Sequence, residues 1–143
     1  MPQPLHLQRF LDAQQRDYAT ALAEIRGGRK RSHWMWYIFP QIQGLGYSET
    51  ARFYAIQSQP EAEAYLQHPT LGPRLVEISE ALLALDISDA TRIMGSPDDV
   101  KLRSSMTLFG ALHGTNLVFQ RVLAKFFGGN QDEKTLQILR QNQ

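Results

Sequence analysis

The chain has 143 residues, 43% of them hydrophobic, with 15 Lys and Arg against 14 Asp and Glu for a net charge of +1. That is the size of one globular domain, able to bury about 68% of its unfolded surface without help from a metal or a disulfide. The absence of cysteine excludes disulfide frameworks, thiolate zinc sites, iron–sulfur clusters and cysteine nucleophiles, and the small net charge argues against a protein built to coat nucleic acid.

Leu7, Phe10, Leu11, Tyr18, Leu22 and Ile25 recur at helical spacing, with Gln14 interrupting the stripe and Gly27-Gly28 ending it. Arg26, Arg29, Lys30 and Arg31 then form a basic cluster, which reads as a solvated patch and leaves the rest of the chain net negative. After an aromatic segment, Ser48 is placed to cap a short helix through Tyr54, and Pro60 to start another that ends near His68-Pro69. A helix following Pro73 carries Leu75, Ile78, Leu82 and Leu85, widened by Val76 and Leu83. Ser96-Pro97-Asp98-Asp99 reads as N-cap, N1, N2 and N3 of a helix bearing Leu102, Met106 and Phe109 and ending near His113-Gly114. Phe119, Val122, Leu123, Phe126 and Phe127 mark a further helix stopped by Gly128-Gly129, and Leu136 and Leu139 mark a short terminal one.

The expected fold is all-α: a compact single-domain bundle of about six to eight short and medium helices, with one doubtful strand. Residues 1–143 form one domain with its core at about 8–140. No basic stretch followed by an apolar run opens the chain, and no apolar run approaches the ~18 residues of a membrane span, so a cytoplasmic protein without membrane contact is expected.

Between Gly28 and Ser48 both tryptophans fall within the run Ser32-His33-Trp34-Met35-Trp36-Tyr37-Ile38-Phe39-Pro40-Gln41. Rings at this density either build the core or wall a pocket. If the segment at 32–47 is extended, Trp34 and Trp36 share a face. If it is a short helix capped by Ser32, they diverge by about 200° and only one can line a given pocket, the helix stopping before Pro40. Gly44-Leu45-Gly46 reads as a plain turn, since the third glycine of a dinucleotide fingerprint is missing.

Familiar catalytic patterns are absent. His6, His33, His68 and His113 are widely separated, no HExxH, GxxxxGK[ST] or GxSxG motif occurs, and neither a metal nor a dinucleotide cofactor is expected. Lys101, Ser104 and Ser105 share one helical face, where an ammonium and hydroxyls could grip a phosphate or carboxylate with Asp99 orienting the lysine.

The Ser32-to-Gln41 run with Gly44-Leu45-Gly46 and Ser48 resembles the signature of the bacterial DUF1810 family, and Pro97-Asp98-Asp99-Val100-Lys101-Leu102-Arg103-Ser104-Ser105-Met106-Thr107-Leu108-Phe109 resembles its second motif. His68-Pro69, Leu71-Gly72, Phe126-Phe127-Gly128-Gly129, Asp132 and Thr135-Leu136 fit the intervening and terminal stretches. The resemblance implies a mostly helical domain and carries no established reaction.

The functional expectation is a pocket between the tryptophan segment and the helix at 98–109, taking a planar, anionic, nucleotide-like small molecule. Trp34 or Trp36 would stack on it, Lys30, Arg31 or Lys101 would neutralise it, and Gln41, Ser48, Asp99 and Ser104 would complete the polar lining. His33 is the candidate general acid or base if chemistry occurs. The rival readings are a non-catalytic helical interaction module and a single-stranded nucleic-acid platform built on the basic cluster.

Overall fold

A computed structural model describes residues 6–141 and contains, among them, nine helices and no strand. They are α1 (Gln8–Arg26), α2 (Met35–Ile38), α3 (Glu49–Tyr54), α4 (Gln59–Gln67), α5 (Leu71–Leu83), α6 (Ala90–Met94), α7 (Asp98–Gly110), α8 (Val118–Phe127) and α9 (Glu133–Gln141). The all-α expectation is met. α7 is the hub: it packs against α8, α6, α9 and α4, while α5 joins α8 to α1 and α4. One continuous core runs through these contacts, with Phe10, Ile25, Tyr65, Ile78, Leu82, Met106, Phe109 and Phe119 fully buried.

Local chemistry explains most boundaries. Ser48 and Ser58 accept hydrogen bonds from Ala51 N and Glu61 N, capping α3 and α4. α5 begins at Leu71, two residues ahead of the predicted start, with Pro73 in its first turn, where a missing N–H costs no helical bond. His68 Nδ1 accepts from Thr70 N at 3.0 Å and Leu71 N at 3.3 Å, so this imidazole caps the start of α5. α4 and α5 approach so closely at Gly72 that a Cβ there would lie 2.0 Å from the Leu66 carbonyl oxygen.

Several local expectations are corrected. Ser96 is not the N-cap of α7: Gly95, at φ 79°, turns the chain so that Asp99 N bonds Gly95 O, and Pro97 occupies the cap position with Asp98 first in the helix. Ser32 does not cap α2, because its hydroxyl donates to Glu24. α6 was not anticipated from periodicity: at five residues it is too short to show one, and its signal is the Asp89 side chain accepting from Arg92 N. The doubtful strand reduces to a single parallel bridge between Ile42 and Ile56. Gln14, the break in the α1 stripe, is buried with its amide donating to Tyr37 O at 2.8 Å and to the Tyr65 hydroxyl at 2.9 Å.

Candidate functional site

The tryptophan segment resolves into the short helix α2, which ends at Ile38, before Phe39-Pro40. Its tryptophans diverge. Trp34, at the N-cap position, is 1% exposed and packs against Phe39, whereas Trp36 is half-buried beside a notch formed by Gln41, Gly46, Ala51 and Tyr54. Tyr37 is buried with its hydroxyl on Asp17, and burial followed by that bond pushes its pKa up to about 12, so the phenol stays neutral.

Glu24 on α1 fixes the entry to this segment. Its carboxylate accepts from Arg31 N at 2.8 Å, Ser32 N at 2.9 Å, the Ser32 hydroxyl at 2.6 Å and the Trp34 indole N–H at 2.9 Å. Burial pushes the Glu24 carboxyl up, but these four bonds outweigh it and lower its pKa from 4.5 to about 2. The stability this ionised group supplies is therefore complete above pH 4.5 and drains away as the pH falls toward about 2. Glu24→Gln is expected to be less stable than the wild type at neutral pH, with the gap closing across that window in acid-denaturation curves. A gap that persists unchanged at the acid end would show that the charge does not hold the segment.

Where the Gln41–Ala51 stretch faces α7 and the start of α9, a cleft of about 490 Å³ opens, lined by Gln41, Gly46, Tyr47 and Ser48 on one wall and Lys101, Ser104, Asp132 and Lys134 on the other. Gly46 lets this loop lie against α3, since a Cβ there would stand 2.6 Å from Ala51 Cβ. The notch at Trp36 shares Gln41, Gly46 and Ala51 with the cleft, and Lys101 Nζ lies 5.5 Å from the Trp36 ring centroid. Lys101 is held only loosely by Asp98, at 3.6 Å. Ser48 accepts from Ala51 N and keeps its own proton to donate, and the Gln41 side-chain amide bonds nothing among the described residues. Asp132 is committed elsewhere: it accepts from Ser104 at 3.2 Å and from Thr135 N and hydroxyl, capping α9.

Of the residues singled out from the sequence, Gln41, Ser48, Lys101 and Ser104 thus line one cleft, and Trp36 borders it. The others go elsewhere. Trp34 belongs to the core. Asp99 accepts from the Thr91 hydroxyl at 2.6 Å and from Val100 N at 2.9 Å rather than orienting Lys101. His33 is exposed and lines neither this cleft nor the notch at Trp36. Lys30 is not the solvated charge its cluster suggests: its side chain is 8% exposed, with Nζ 2.9 Å from Asp98 and donating to Ser32 O, over the Trp34 ring. Its aliphatic stem lets it cover apolar surface while the ammonium reaches its partner. Arg31 opens on a second, basic cleft behind α6.

Sequence reasoning missed Asp98 as the carboxylate shared by Lys30 and Lys101, and Lys134 as the second ammonium of the cleft. Asp132 preceding Thr135 by three was a readable capping signal for α9. A groove of about 610 Å³ between α4, α5 and the α7–α8 connector holds none of the predicted residues, and its Glu63, Glu77 and Glu80 make it a poor receptacle for an anion.

Residues 4–139 match the family described as "Protein of unknown function (DUF1810)". The chain belongs to the DUF1810 family. A DUF1810-like fold is also seen in the crystal structure of the conserved hypothetical protein Rv1873 from Mycobacterium tuberculosis. That protein is 46% identical, with a TM-score of 0.94 over 96% of this chain and 99% of that one. Comparison with curated proteins gave no match. No helix among the described residues of this DUF1810 chain is long and apolar enough to cross a membrane.

Proposed function

We propose that this DUF1810 protein binds a small, planar, anionic molecule of nucleotide-like chemistry in the cleft between the Gln41–Ala51 stretch and α7. The observation that carries the reading is Lys101: a loosely paired ammonium beside the Trp36 ring, at the edge of a cleft whose Gln41 amide and Ser48 hydroxyl have bonding capacity to spare. A cation and an aromatic face side by side are what a charged, flat ligand needs, one for its anion and one for its ring. Lys134 adds a second positive charge at the rim.

The role is binding. His33, the imidazole expected to act as general acid or base, stands outside the cleft, so no proton-transfer group is assigned. A bacterial cytoplasmic setting goes with the reading, because nucleotide-like metabolites are made and consumed there.

Titration with AMP, followed by tryptophan fluorescence and by calorimetry, tests it. Wild type should bind with a change in emission from Trp36. Lys101→Ala should bind about ten- to hundredfold more weakly, the loss expected for one charge-assisted hydrogen bond, with an unchanged melting temperature. Asp98 retains Lys30 in that variant, which is why the fold should hold. An AMP titration with no heat and no emission change, or equal affinity in Lys101→Ala, would sink the reading and leave the aromatic segment as scaffold for an interaction module.

A further inference from the structure

The second cleft, about 620 Å³, lies between the Gly27–Arg31 connector and α6. Arg29, Arg31 and Arg92 line it, together with Lys30, and no acidic residue does. Lys30 sends its ammonium away to Asp98, so the charge facing the cleft comes from the three arginines. All three are exposed, and among the described residues none has a carboxylate within 4.0 Å or a side-chain hydrogen bond. The carboxylates nearest in sequence are occupied: Glu24 holds the connector and Trp34, and Asp89 caps α6.

Three guanidinium groups gathered on one concavity repel each other unless an anion lies among them. The frame that presents them is built in advance. Lys30 N donates to Ile93 O at 2.7 Å, tying the two walls together, and Gly28 and Gly95, at φ 83° and 79°, make the sharp turns that flank this tie. Backbone donors contribute little, because the N–H groups of Gly28, Arg29, Lys30, Arg31 and Gly95 are all bonded within the protein. Recognition therefore falls to the guanidinium forks, whose planar paired donors match phosphate oxygens. No aromatic ring lines the cleft, so nothing there stacks on a base or other flat group. The volume exceeds what a single tetrahedral anion fills.

We infer that this cleft binds several phosphate groups carried on one molecule, whether the linked phosphates of a polyphosphorylated small molecule or the successive phosphodiesters of a single-stranded nucleic-acid backbone. The inference does not depend on the Lys101 cleft, which shares no lining residue with it.

Calorimetric titration of the full chain with inorganic tripolyphosphate at low ionic strength tests it. Wild type should bind, and Arg31→Gln and Arg92→Gln should each weaken binding about tenfold or more, the loss of a charge-assisted contact. Both side chains are exposed and bond nothing among the described residues, so the melting temperatures of the variants should match the wild type. Arg121→Gln, which removes an exposed arginine of α8, should bind as the wild type does. No binding of tripolyphosphate, or equal affinity in the wild type and the Arg31 and Arg92 variants, overturns the inference. A short oligothymidylate competitor identifies the source of the phosphates. Displacement of tripolyphosphate with steep salt dependence upholds the cleft as a nucleic-acid backbone site. Tripolyphosphate binding that the oligonucleotide does not disturb upholds it as a site for a free polyphosphorylated molecule.

Discussion

Arg9→Ala is expected to lower the unfolding free energy by about 3–5 kcal/mol, the cost of breaking a buried ion pair from one side. Arg9 and Glu61 meet at 2.9 Å with side chains only 3% exposed on either partner. The guanidinium also donates to Phe53 O at 2.8 Å and Ala55 O at 2.9 Å, and to His6 O, so a single side chain of α1 gathers the end of α3, the connector after it and the start of α4. Truncation strands the Glu61 carboxylate, left with only Gln57 N among its former partners, and takes the guanidinium donor from the carbonyls of His6, Phe53 and Ala55, of which Ala55 keeps the Gln57 side-chain amide. Urea denaturation measures the loss. A value below ~1 kcal/mol would show that water reaches the pair and replaces it. Replacing both partners with Met should recover only part of the loss, because the Phe53 carbonyl still lacks the donor that Arg9 supplied.

Trp34→Ala should cost about 3–5 kcal/mol, through lost burial, an unfilled cavity and a stranded acceptor on Glu24. Trp34 is among the largest fully buried side chains, and its indole N–H is one of four donors to that carboxylate. Trp34→Phe keeps most of the packing and loses the hydrogen bond, so about 1–3 kcal/mol is expected from it. Thermal and denaturant unfolding of the two variants separates the contributions. Should Trp34→Ala unfold at the wild-type midpoint, the division of labour between the two tryptophans, one for the core and one for the cleft, would be mistaken.

The long amphipathic helices were legible because burial repeats along them. Ile78 and Leu82 announce α5, and Phe119, Val122 and Leu123 announce α8, with apolar spacing that no tertiary detail overrides. α6 was not legible, since five residues make barely more than one turn and its buried Ile93 and Met94 have no periodic continuation. The site divides along similar lines. Lys101 and Ser104 could be placed together because three residues along a helix is a fixed geometry, and Gln41 and Ser48 because they bracket a turn ahead of a capped helix. Lys30 and Arg31 are adjacent on a connector, where nothing in the residue order says that one side chain tucks under to Asp98 while its neighbour stays in solvent. The partner of Lys101 is Asp98 and not Asp99. Asp98, three residues before Lys101, shares its helical face, whereas Asp99, two residues before it, meets the Thr91 hydroxyl instead, a distinction that helical spacing already draws.

Asp98 has one negative charge and two ammonium groups on it, Lys30 at 2.9 Å and Lys101 at 3.6 Å. Lys30 is part of the wall of one cleft, and Lys101 is part of the wall of the other. Any change in how strongly the carboxylate is engaged by one lysine alters what remains for its rival, so the free energies of the two positions do not add. Linkage makes that dependence symmetric: whatever a change at Lys30 does to Lys101 through Asp98, the same change in coupling is felt at Lys30 from Lys101. One carboxylate thus fastens the connector after α1 to the first turn of α7 through two lysines at once.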